Sequence, residues 1–150
     1  MPKFNLAMGN FAISTAILDF AEVFSEPRVT LEAEKFGLTV GAAIDLKTGW
    51  DLTRAGERKR CLTWIRRYRP RVVVLSPPCG PFSQLQSMNQ WSQKKERALW
   101  VGTVLLKFSM EIAREQIGDG RYFIFEHPAY ASSWKKKEVE STARRGGVWQ

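Results

Sequence analysis

The sequence predicts an α/β fold, a mostly parallel sheet with helices on both faces. Four short apolar runs alternate with longer stretches whose apolar residues recur every three or four positions. Breakers fall between them, with Gly37, Pro70 and Gly118 closing the helical stretches. Right-handed crossovers turn this alternation of strand and helix into a parallel sheet, so the core is Rossmann-like.

Ala16 to Phe24 is short and mostly apolar and reads as the first strand. Ser25-Glu26-Pro27 supplies a turn with helix-start chemistry, and Val29 to Phe36 reads as the first helix. Val40 to Leu46 is the second strand, with Asp45 near its end; Gly49-Trp50-Asp51-Leu52-Thr53 then leads into a basic helix from Arg54 to Tyr68. In that helix Cys61, Leu62, Trp64, Ile65 and Tyr68 form one apolar stripe. Arg71 to Ser76 reads as a buried strand that runs into Pro77-Pro78-Cys79. Ser83 to Gln93, rich in Gln, Ser and Asn, is expected as a mobile loop. Ala98, Val101, Leu105, Phe108, Ile112 and Ile117 mark a long helix, and Tyr122 to Phe125 a last strand ending in Glu126-His127-Pro128. The Lys- and Gly-rich residues 132–150 read as a flexible basic tail, leaving 1–131 as the folded domain.

Composition narrows the function classes. An apolar fraction of 44% with 25% charged residues suits a soluble domain with a real core and excludes general disorder. Two cysteines and one histidine supply neither a four-ligand zinc site nor a disulfide framework, so no metal is expected, and Cys61 and Cys79 read as thiols of a reducing, intracellular compartment. Residues 4–18 follow one leading lysine, Lys3, and hold no strong cleavage signal, so they read as part of the fold, and no apolar run is long enough to span a membrane.

Charge is unevenly placed. Arg54 to Arg71 holds eight basic residues and one acid, Glu57, and so carries seven of the chain's eight net positive charges. One reading is a phosphate-facing surface for nucleic acid, through Arg58, Arg66 and Arg67. The other is a solvated helix face.

In a parallel sheet the carboxyl ends of the strands share one rim, which gathers Phe24, Asp45, Cys79 and Glu126. Two prolines hold Cys79 on a stiff turn, as a nucleophile requires; a structural loop cysteine is the alternative. Asp45 can accept from ribose hydroxyls or simply cap a turn.

Ser76-Pro77-Pro78-Cys79-Gly80-Pro81-Phe82-Ser83 resembles the Pro-Cys motif of DNA cytosine-5 methyltransferases, and Glu126 after an apolar strand resembles that family's Glu-Asn-Val motif. Glu22-Val23-Phe24-Ser25 resembles its first cofactor motif, and the likeness spans residues 16 to 131. The resemblance implies S-adenosyl-L-methionine held by Phe24, Asp45, Asp51 and Pro77, with DNA as the partner, touched by Ser83 and the basic helix. It makes Cys79 the nucleophile at cytosine C6 and Glu126 the partner of N3. A target base has to leave its stack to reach such a pocket. The chain departs from the family in having Ser25-Glu26-Pro27-Arg28 in place of glycines and His127-Pro128 in place of Asn-Val. It also has no room for a base-reading domain, so a fragment or decayed copy is expected, weak or inactive without a second half or partner. The other readings are a non-catalytic nucleic-acid binder and a structural subunit. A Cys-x5-Arg phosphatase loop is excluded by Leu85.

Overall fold

A computed structural model describes residues 2–7, 16–83, 90–145 and 147–149, with 2–7 and 149 described as backbone only. Six strands form one sheet: β1 (Pro2–Ala7), β2 (Leu18–Val23), β3 (Val40–Ile44), β4 (Pro70–Leu75), β5 (Tyr122–Pro128) and β6 (Val148–Trp149). Their order across the sheet is β3-β2-β4-β5-β1-β6. β3, β2, β4 and β5 are parallel neighbours, as the sequence predicts. β1 lies antiparallel along β5, with Pro2 opposite Pro128 and Ala7 opposite Phe123, and β6 pairs antiparallel to β1.

Helices α1 (Val29–Lys35), α2 (Ala55–Tyr68) and α3 (Gln93–Gly118) make the crossovers β2 to β3, β3 to β4 and β4 to β5. The first two run in opposite directions across the sheet, so right-handed connections put α1 and α2 on opposite faces. The central strand β4 is apolar in succession, with Val73, Val74 and Leu75 buried, because side chains on both its faces need cover. The core joins Val23, Ile44, Phe123 and Phe125 of the sheet to Cys61 and Ile65 of α2 and to Leu106 and Ile112 of α3. Each such fully buried large side chain contributes about 1.5–3 kcal/mol.

Three boundaries differ from expectation. β2 stops at Val23, because Phe24 takes a left-handed φ of 67° and turns the chain out of the sheet. β3 stops at Ile44, because Asp45 caps a short 3-10 turn, Leu46–Thr48. α3 begins at Gln93, where the Ser92 hydroxyl accepts from Lys95 N at 3.2 Å. Within the segment expected as a mobile loop, residues 84–89 lie outside the described residues.

The flexible tail is the larger correction. A 3-10 turn (Ser132–Lys135) and helix α4 (Lys137–Ala143) follow β5. Val139 and Thr142 are buried, and Lys107 of α3 pairs with Glu138 at 3.3 Å. Charge hid two inward positions one helical turn apart. Among the described residues no helix is long and apolar enough to cross a membrane.

Candidate functional site

The chain leaves β2 toward β3 on one side and β4 toward β5 on the other, so the strand order reverses between β2 and β4. Ligands of open α/β sheets bind in the crevice at that point, outside the carboxyl ends of the strands. A cleft of about 390 Å³ opens there, lined by Phe24 after β2, Asp45 after β3, Pro77 and Cys79 after β4, and Glu126 of β5. An apolar pocket of about 200 Å³ adjoins it, lined by Trp50, Leu46, Val101, Leu105 and Asp51. Phe24, Asp45 and Pro78 border both. Ser83 is elsewhere, in a third cleft behind the Cys79 loop. Arg58, Arg66 and Arg67 line none of these three.

The Cys79 loop is braced from three sides. Gly80–Phe82 forms a 3-10 turn in which Phe82 N donates to the Cys79 carbonyl at 2.9 Å. Below it, Gly102 of α3 leaves the space the turn occupies, since a Cβ there would come within 2.9 Å of the Pro81 ring. From β5, the ring nitrogens of buried His127 reach the Pro77 carbonyl at 2.8 Å and the Ser133 hydroxyl at 2.7 Å. Cys79 itself is half-buried. Glu126, its neighbour in the cleft, receives no hydrogen bond from the described residues.

Glu22 explains how the turn after β2 works without glycines. Its carboxylate, fully buried, accepts from Ser25 Oγ at 2.6 Å, from the backbone N–H groups of Arg28, Val29 and Thr30 at 2.8, 3.3 and 3.1 Å, and from Thr30 Oγ1. Burial pushes its pKa up, but these hydrogen bonds outweigh burial and hold it below the ordinary carboxylate range. The start of α1, where a dinucleotide fold would seat a phosphate, is thus filled by the protein's own anion. The site favours a ligand that is neutral or positive at that point. The negative charge of Glu26 is answered by Lys47, which hydrogen-bonds it.

Asp45 and Asp51 are both turn aspartates. Asp45 Oδ1 accepts from Lys47 N at 2.9 Å. Asp51 Oδ1 accepts from the Thr53 hydroxyl and, at 3.2 Å, from its N–H, which lowers the Asp51 pKa. Neither Oδ2 accepts a hydrogen bond from the described residues. Trp50 stands between these residues, with the Arg60 guanidinium 3.8 Å from the ring centroid.

The basic helix is largely occupied with the fold. Arg58 donates to the Leu52 and Thr53 carbonyls at 3.0 and 2.8 Å, and Arg66 makes a two-pronged pair with Glu115 of α3 at 2.6 and 3.0 Å. Arg67 lies over the Tyr68 ring at 5.8 Å. Arg71 and Asp19 face each other at 3.8 Å. Acids from distant segments answer this charge, which a local count could not anticipate.

No known family, curated protein or solved structure matches this chain. Its chemistry is therefore read from its own residues. The two thiols separate sharply: burial, with the charge of Glu115 adding, pushes Cys61 up to about 12, whereas Cys79 opens to the cleft. Sequence reasoning missed His127 as a brace, although Phe123, Phe125 and His127 alternate on the inward face of β5. It also missed Glu22 as the cap of α1, because three of its partners are backbone N–H groups.

Proposed function

We propose that the rim cleft and the apolar pocket hold S-adenosylmethionine beside a cytosine base, and that Cys79 is the nucleophile of a cytosine-5 methyl transfer. The observation that carries this reading is that Cys79 and Glu126, far apart in sequence, line one cleft that opens into an apolar pocket bearing two carboxylates.

The residues suit that cofactor on chemical grounds. Trp50, Leu46 and Leu105 offer an apolar slot for an adenine ring, and Asp45 and Asp51 offer acceptors for hydroxyl and amino groups. The capped start of α1 leaves no seat for a phosphate and suits a sulfonium, which carries none. When bound, S-adenosylmethionine supplies an electrophilic methyl group on positively charged sulfur.

The chain's own residues prepare the base. Cytosine C5 is a weak nucleophile, and addition of the Cys79 sulfur at C6 makes C5 electron-rich. Glu126 in the same cleft hydrogen-bonds N3 and stabilises the charge that develops as sulfur adds. The two prolines before Cys79 and the His127 brace hold the nucleophile in place between turnovers.

Calorimetric titration with S-adenosylmethionine tests the reading. Binding to the intact chain, weakened about tenfold or more by Trp50→Ala, is expected. A chain that binds none would leave the cleft to a different ligand class.

A further inference from the structure

We propose that the cleft behind the Cys79 loop is a docking track for a single-stranded nucleic-acid segment, with phosphates on Lys95, Lys135 and Lys136 and a base on Tyr130. The inference rests on the proposed action at cytosine only in its choice of substrate; the cleft stands on its own observations.

This cleft, about 450 Å³, is lined by Phe82 and Ser83 of the turn after Cys79, by Lys95 at the start of α3, and by Tyr130, Lys135 and Lys136 after β5. Among the described residues three cations and no acid line it, which is the charge pattern of a phosphate track. Among the described residues Lys135 and Lys136 make no ion pair; the acid beside them in sequence, Glu138, pairs with Lys107 at 3.3 Å and also feels the charge of Lys136. The cationic face of α2 differs, because Arg58 and Arg66 bond to the protein itself.

Exposed aromatic faces supply the second half of the pattern. The Tyr130 ring is 81% exposed, and Trp91, 66% exposed, stands with Lys95 Nζ 6.0 Å from its ring centroid. Large aromatic side chains left in water beside lysines are a stacking platform for bases. Only unpaired bases offer free faces to such a platform, so the occupant is single-stranded.

The walls are built in advance. Ser132 Oγ donates to the Phe82 carbonyl at 3.3 Å, and Trp134 Nε1 donates to the Pro128 carbonyl at 2.7 Å. Ser133, between them, bonds His127, which in turn holds the Pro77 carbonyl. One wall of the track is the turn that begins at Cys79. A strand seated there passes its neighbouring base over Pro81 toward the thiol.

The test is fluorescence anisotropy with a labelled single-stranded DNA of about a dozen nucleotides, within the site sizes known for such tracks, titrated at several salt concentrations. Lys135→Ala/Lys136→Ala is expected to weaken binding at least tenfold and to flatten the log–log salt slope by about 1.4, two phosphates at about 0.7 each on a single strand. Tyr130→Ala is expected to weaken binding about tenfold with the slope unchanged. Lys59→Ala, on α2, should change neither, and circular dichroism checks that each variant is folded. An unchanged slope in the double-lysine variant, a flattened slope in Arg67→Ala instead, equal binding of a duplex, or no binding to the intact chain each overturns the proposal. Titration of the same double-lysine variant with S-adenosylmethionine separates the two readings, since the rim cleft should bind it as the intact chain does.

Discussion

The Nε2 atom of His127 and the carbonyl of Pro77 are joined by a hydrogen bond of 2.8 Å across the two central strands' ends. A carbonyl only accepts, so Nε2 carries the proton and Nδ1 accepts from the Ser133 hydroxyl at 2.7 Å. Burial pushes the His127 pKa down, and the bond to Pro77 offsets this only in part. The ring is therefore neutral and in one tautomer, and it ties the nucleophile's loop to the segment that follows β5.

Stability should fall as pH drops below 6.5, the ordinary histidine value, because the unfolded chain then binds a proton that the folded chain resists. Melting temperature against pH should show this loss in the intact chain and lack it in His127→Gln. A second loss, below 4.5 and common to both proteins, belongs to the carboxylates held low in the fold, among them Glu22, whose buried anion caps α1. His127→Leu should lower stability by about 1–3 kcal/mol by leaving the buried Pro77 carbonyl without its donor. Equal pH profiles for the intact chain and His127→Gln would show that the ring does not titrate with folding.

Phe24 at φ 67° holds a conformation that a bulky side chain rarely adopts. Its ring packs edge-on against Phe108 with centroids 6.3 Å apart, and that contact offsets the strain. Truncation to alanine removes the ring and keeps the strain, whereas glycine removes both. Phe24→Gly should be more stable than Phe24→Ala by about 1 kcal/mol in urea unfolding, the reverse of their usual order within a strand. Alanine at or above glycine would mean that the turn relaxes once the ring is gone.

The parallel core was legible in the sequence because its signals are local. Four apolar runs, a helical stripe and breakers between them are readable within a dozen residues. The gathering of Phe24, Asp45, Cys79 and Glu126 followed from strand polarity alone, once parallel pairing was expected. What escaped depends on distant partners: β1 exists as a strand because β5 offers an edge, and residues 132–143 fold because α3 offers Lys107 and an apolar face. The roles of Arg58 and Arg66 turn on acceptors that composition does not show, carbonyls before α2 and a carboxylate on α3.

The two thiols provide a separate check of the loop. A soluble alkylating reagent at pH 8 should modify Cys79 and leave Cys61 untouched in the folded protein, since burial keeps Cys61 a thiol up to about 12. Peptide mapping by mass spectrometry reads the result. Modification of both residues at similar rates would show that α2 opens readily.

The most direct test of the central claim is whether Cys79 bonds to a cytosine that receives a methyl group. An oligonucleotide carrying 5-fluorocytosine, incubated with the protein and S-adenosylmethionine, cannot lose fluorine from C5 to release the enzyme, so even one slow turnover accumulates as an adduct. Intact mass analysis is predicted to find protein, oligonucleotide and one transferred methyl group in a single species, mapped to Cys79 and missing from Cys79→Ser. No such species from a folded chain that binds both ligands, or the same adduct in Cys79→Ser, would contradict the assignment of Cys79 as the nucleophile.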